Sequence, residues 1–128
     1  MEKKNKRPVY LNLVKIHLPV GGVLSILHRA TGALLFLLLP FALYILDRSL
    51  QDPGAFAEIS ARAASIEGRI VTLIMVWAFA QHLMSGIRHL FLDIGVGDSK
   101  AAARRNAWLA FTAVGIIVII TGACLWDA

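Results

Sequence analysis

The sequence predicts an all-α integral membrane protein with three transmembrane helices. Hydrophobic residues make up 58% of the 128 positions, above the roughly 45–50% of a soluble domain, and the mean hydropathy is +0.69. Three apolar stretches each approach or exceed the about 20 residues that a membrane span requires. The net charge of +5 does not indicate nucleic-acid binding, because five of the basic residues precede the first apolar stretch, where they indicate the orientation of the chain in the membrane. These residues are Lys3, Lys4, Lys6, Arg7 and Lys15.

The segments are justified in chain order by apolar length, turn residues and charge. The first apolar stretch has no charge from Ala30 to Leu46, the connection after it contains the turn signal Asp52-Pro53-Gly54, and the second connection is rich in lysine and arginine. Six segments are expected: a basic N-terminal segment 1–21, transmembrane helix 22–46, loop 47–69, transmembrane helix 70–92, loop 93–106 and transmembrane helix 107–126.

The distribution of basic residues predicts the orientation. The N-terminus and loop 93–106 are expected in the cytoplasm, and loop 47–69 and the C-terminus in the periplasm. No cleavable signal peptide is expected, because the first apolar run lies beyond residue 20 and carries His28 and Arg29. The expected location is therefore a bacterial inner membrane, which the chain crosses several times.

Two clusters of polar side chains interrupt the apolar segments. Ionisable groups at membrane depth are costly, so they are expected to face the protein interior and to be functional. Helical spacing places Ser25 and Arg29, four residues apart, on one face of the first span, beside His28. In the second span, His82 and His89 are seven residues apart and share another face.

The depths of two histidines predict different roles. At about 1.5 Å per residue, His82 lies about 18 Å from the outer surface and His28 about 28 Å from it. This offset of about 10 Å favours His82 as an axial ligand of haem iron in the apolar interior. Gly86, one turn after His82, is expected to leave room there for the flat macrocycle. His28 and Arg29, nearer the wet edge, suit the haem propionates.

These motifs resemble a known family. SILHRATG (25–32) and HLMSGIRHLFLD (82–93), preceded by RPVYLNL (7–13), are similar to the cytochrome b556 subunits of succinate dehydrogenase. These subunits are the larger of that enzyme's two membrane anchors. The resemblance covers essentially the whole chain, including the number and order of the spans.

The resemblance implies a function within respiratory complex II of the tricarboxylic acid cycle. The chain would be an electron-transfer and anchor subunit of succinate:quinone oxidoreductase, not catalytic alone. It would form half of a helical bundle that holds one haem b, with His82 as one axial ligand and a small anchor subunit supplying the other. Iron–sulphur and flavoprotein subunits would be further partners. Ser25 and Arg29 match the ubiquinone site, and His28 and Arg29 also match positions near the propionates.

Other interpretations remain open from the residues themselves. His82 could hydrogen-bond a neighbouring helix, Ser25 could bond its own backbone, and Arg29 and Arg88 could be snorkelling anchors. His89 either lies near the haem or pairs with Asp93. At the level of function, the alternatives are a haem-free quinone-binding anchor of a related fumarate reductase and a small ion or proton transporter subunit.

Overall fold

The computed structural model describes residues 17–127, which form four helices and no strand. They are α1 (Val20–Gln51), α2 (Pro53–Ala64), α3 (Ile66–Asp93) and α4 (Lys100–Asp127). By length and composition, α1, α3 and α4 could each cross a membrane, which confirms the predicted all-α fold with three spans. The basic residues at positions 3–15, the motif RPVYLNL and most of segment 1–21 lie outside the described residues.

The long helices expose large apolar side chains on their outer faces. Phe36 is 75% exposed and Ile119 is 72% exposed, which a water-soluble surface would not tolerate in this number. The buried interior is made mostly of small residues, such as Ala78, Ala80 and Ala107. Small side chains let helix backbones approach closely where lipid gives no hydrophobic driving force between helices.

The stretch 47–69, expected as a loop, is almost entirely helical. Helix α1 continues to Gln51, and the Asp52 carboxylate then caps α2 by accepting from the Ala55 amide at 2.8 Å. The Asp-Pro pair interpreted as a turn is thus a helix start, with the cap residue followed by proline at the first helical position. Ser65 caps α3 in the same way, accepting from the Gly68 amide at 3.1 Å.

A tight glycine turn joins α3 to α4. Gly95 and Gly97 adopt φ of 76° and 78°, and no other described residue has a positive φ. Only glycine adopts this region without steric cost. The turn folds α4 back along α3, which packs against α1 as well. In the histidine-rich half of α3, Met84 packs against a buried cluster of Leu24 from α1 and Ala107 and Ala110 from α4.

Candidate functional site

The structure brings three predicted site histidines into one cluster between α1 and α3. The His28 and His82 rings stack with centroids 4.2 Å apart and an interplanar angle of 9°. The His89 ring meets His28 edge-on, with centroids 4.9 Å apart and an angle of 70°. All three side chains are half-buried. We call these three residues the histidine cluster.

The expected difference in depth between His28 and His82 is wrong. The expectation counted residues from a common outer plane, but stacked rings cannot be about 10 Å apart in height. Helix α2, 12 residues and so about 18 Å long, connects α1 to α3 and allows their ends to lie at different heights. Counting from the helix ends therefore cannot assign separate layers to the two imidazoles.

One hydrogen bond determines the protonation of His82. Its Nδ1 lies 3.0 Å from the backbone carbonyl oxygen of His28. Because a carbonyl oxygen only accepts, Nδ1 must carry the proton and donate. In the neutral imidazole, Nε2 then has a free lone pair, the state that a metal-ligating histidine needs. The site thus contains one imidazole oriented and protonated for ligation.

Gly32 makes this approach possible. A Cβ atom at this position would lie 2.8 Å from Cε1 and 3.1 Å from Nδ1 of His82. Gly86 was expected to provide the room beside His82, but a Cβ at Gly86 would instead lie 3.4 Å from Nε2 of His28. Gly32 is therefore the glycine that the site requires beside its central imidazole.

Three buried polar residues of α1 and α3 were not among the predicted site residues. The Thr31 hydroxyl contacts the carbonyl oxygens of Leu27 at 2.7 Å and His28 at 3.2 Å. The Gln81 side-chain amide donates to the Ser85 hydroxyl at 2.9 Å, and both residues are almost completely buried. The sequence signal that could have identified them is that they are polar residues within apolar segments. These bonds satisfy groups whose burial would otherwise be costly.

Ser25 and Arg29 lie together, as their spacing predicts. Nη2 of Arg29 is 3.5 Å from the Ser25 hydroxyl, and Nε is 3.4 Å from the Ser25 carbonyl oxygen. These distances are long, so the contacts are weak. The Arg29 side chain is exposed. None of the described hydrogen bonds or ring contacts joins Ser25 or Arg29 to the imidazoles.

The cluster is not a site for a bare metal ion. Within residues 17–127, no group of three or more His, Cys, Asp or Glu side chains is arranged to hold one. His89 and Asp93 form no ion pair, the one salt bridge of the described chain being Arg62–Glu58. A cavity of about 690 Å³, lined in part by Tyr44 and Glu58, lies at the other end of α1.

Comparisons with known proteins agree on one family. The family of succinate dehydrogenase/fumarate reductase transmembrane subunits matches residues 3–122. Three relatives are each described as a succinate dehydrogenase cytochrome b556 subunit. The Coxiella burnetii protein is 34% identical over 94% of this chain and 98% of its own length. The Rickettsia typhi protein is 36% identical over 81% of this chain and 81% of its own length. The Paracoccus denitrificans protein is 29% identical over 92% of this chain and 91% of its own length.

Proposed function

The chain belongs to the family of succinate dehydrogenase/fumarate reductase transmembrane subunits, and we propose that His82 is an axial ligand of its haem b. Within this family it is a membrane-anchor cytochrome b subunit of bacterial succinate dehydrogenase, embedded in the inner membrane. It transfers electrons and does not itself oxidise succinate. The residue roles that follow belong to the proposal.

The proposal rests on the His28–His82 hydrogen bond. Donation from Nδ1 to the His28 carbonyl leaves Nε2 as the ligating atom and fixes the ring orientation. Stacking of the His28 ring adds a second restraint on that orientation. Haem iron, when bound, supplies a one-electron redox centre. One haem would be shared, because the small anchor subunit would provide the second axial histidine.

Three groups suit the haem propionates. Arg29 presents an exposed guanidinium next in sequence to the cluster, and guanidinium pairs well with carboxylates. His28 and His89 lie edge-on to each other. None of the described hydrogen bonds involves their ring nitrogens, so an N–H of each ring can donate to an acid placed beside it. These contacts would orient the macrocycle and offset its negative charge.

Ser25 and Arg29 would bind ubiquinone. The other serine and the threonine of α1 bond backbone carbonyls: Ser49 donates to Leu46 at 2.7 Å and Thr31 to Leu27 at 2.7 Å. The described hydrogen bonds include no such bond from Ser25, so its proton is free to be donated to a quinone carbonyl. The nearby Arg29 charge stabilises negative charge that develops on the quinone as it is reduced.

Replacement of Ser25 by alanine tests this role. We expect kcat/KM for ubiquinone to fall about tenfold, the loss of one hydrogen bond worth about 1.4 kcal/mol. The measurement is succinate:ubiquinone reductase activity in membranes that contain the assembled complex. Ser49→Ala is the matched control, since it removes a helix serine distant from the site. An equal fall in both variants, or none in Ser25→Ala, contradicts the assignment.

Electrons must reach this chain from partner subunits. The full sequence has one cysteine, whereas an iron–sulphur cluster is typically held by four. We propose an iron–sulphur subunit as the donor and a flavoprotein subunit as the site of succinate oxidation. Oxidation of succinate to fumarate releases two electrons and two protons, and reduction of ubiquinone to ubiquinol consumes the same number.

The orientation is proposed with the N-terminus in the cytoplasm. Lys100, Arg104 and Arg105 then lie on the cytoplasmic side, as the excess of positive charge there requires. Alkaline phosphatase, which needs periplasmic disulfide formation, should be active when fused after Asp127 and inactive when fused within 93–106. The reverse pattern of activity contradicts the orientation.

A further inference from the structure

Arg88 is an inward-pointing cation that forms no salt bridge with any acidic side chain in the described part of the chain. Its sequence position allowed a snorkelling side chain, but its Nη2 lies 3.0 Å from the position of a Cβ at Gly21, against the start of α1. The same Nη2 approaches the Ala103 carbonyl oxygen in α4 at 3.4 Å, a long contact. Nε of Arg88 is buried and has no hydrogen-bond partner among residues 17–127.

An arginine in this position needs an anion. Guanidinium does not lose its proton in proteins, so burial cannot neutralise the charge. The acids nearest in sequence are Asp93 and Asp98, and neither forms a salt bridge with Arg88. Within residues 17–127, the counter-charge is therefore not supplied by the chain.

A groove of about 450 Å³ lies beside Arg88, between α3 and α4. Its polar lining residues are Arg88 and Asn106. The remaining walls are apolar: Met84, Ile87, Phe91, Val96, Leu109, Ala110 and Ala113. A polar group at one end and a long apolar wall match the two parts of an amphipathic molecule.

The depth and charge of the groove favour a membrane lipid. Helix α3 has 28 residues and is about 42 Å long, close to a bilayer with its headgroup regions. Arg88 is five residues from the last residue of α3, about 8 Å inside that end, where the headgroups meet the hydrocarbon. Lys100, Arg104 and Arg105 at the start of α4 add positive charge nearby, which attracts an anionic headgroup.

We propose that the α3–α4 groove binds one anionic phospholipid, with its phosphate on Arg88 and Asn106 and an acyl chain along the apolar walls. A haem propionate is a poorer match. Arg88 is six residues after His82, which places it about 120° around α3 from the face that carries the histidine cluster. The bound lipid would supply the missing charge and link α3 to α4.

The test uses the complex with its partner subunits in nanodiscs that contain equal amounts of phosphatidylglycerol and phosphatidylcholine. Lipids retained after a detergent wash are counted by mass spectrometry. We expect one phosphatidylglycerol per chain in the wild type and about a tenfold lower retention in Arg88→Gln, which loses a charged hydrogen bond. Ala113→Leu should lower retention too, because it fills the groove while keeping the arginine. Arg48→Gln and Ala123→Leu, an exposed basic residue near the end of α1 and an exposed alanine, both outside the groove lining, should match the wild type.

Several results would overturn the proposal. They are retention of phosphatidylcholine equal to that of phosphatidylglycerol, unchanged phosphatidylglycerol retention in Ala113→Leu, or an equal loss in Arg48→Gln. An altered haem spectrum in Arg88→Gln with unchanged lipid retention would assign the arginine to a propionate instead. If Arg88→Gln does not assemble, Ala113→Leu and its control Ala123→Leu decide the question by themselves.

Discussion

Replacement of His82 by alanine is expected to abolish the b-type haem absorbance of the assembled complex. The variant removes the imidazole whose Nδ1 donates to the His28 carbonyl and whose Nε2 is free to ligate. The helix should persist, because alanine is the best helix former and His82 is only half-buried. The measurement is a reduced-minus-oxidised optical spectrum of membranes, with the amount of chain quantified in parallel.

A matched histidine controls for the loss of an imidazole in general. His17 is exposed and precedes α1, so His17→Ala should leave the haem band unchanged. His28→Ala and His89→Ala are expected to shift the band or weaken it, since these residues are proposed to contact the propionates and not the iron. A wild-type band in His82→Ala, with the chain present at normal amount, would exclude His82 as the ligand.

Replacement of Gly32 by valine should have the second-largest effect, through displacement of His82. The first added carbon alone would lie 2.8 Å from Cε1, so the imidazole must move to restore a contact of ordinary length. That movement breaks the 3.0 Å hydrogen bond from Nδ1 to the His28 carbonyl, so the proton is no longer held on Nδ1. Small misplacements of a ligating group strongly weaken a site. We expect most of the haem to be lost in Gly32→Val and part of it in Gly32→Ala.

Gly115→Ala is the control for this experiment, because a Cβ at Gly115 would meet no atom within 4 Å. Both alanine variants gain up to about 1 kcal/mol of helix propensity, so a general change in helix stability would affect them alike. Haem loss in Gly32→Ala without loss in Gly115→Ala identifies the contact with His82 as the cause. Equal spectra in the two variants, and a wild-type spectrum in Gly32→Val, would show that the close approach is not needed.

The transmembrane architecture could be predicted because it depends on local composition. Long apolar runs determine the three spans, and helical spacing correctly placed Ser25 beside Arg29. Ionisable residues in apolar segments singled out His28, His82 and His89 as candidate site residues in two separate clusters, and the structure brings their rings together. These signals are contained in the sequence of each helix and do not require knowledge of how the helices pack.

The contacts between helices could not be read in the same way. The stacking of His28 on His82 depends on the relative height of α1 and α3, which the unforeseen helix α2 changes. The role of Gly32 depends on which side chain of α3 faces it, and a glycine in an apolar helix has many possible neighbours. Likewise, Arg88 resembles an ordinary snorkelling residue until its contacts with α1 and α4 are known.

The most direct test of the central claim is an electron cryo-microscopy structure of the complete complex in lipid. We predict a haem whose iron is coordinated by Nε2 of His82, with Nδ1 still bonded to the His28 carbonyl oxygen. Iron coordinated by His28, by His89 or by no residue of this chain would contradict the claim.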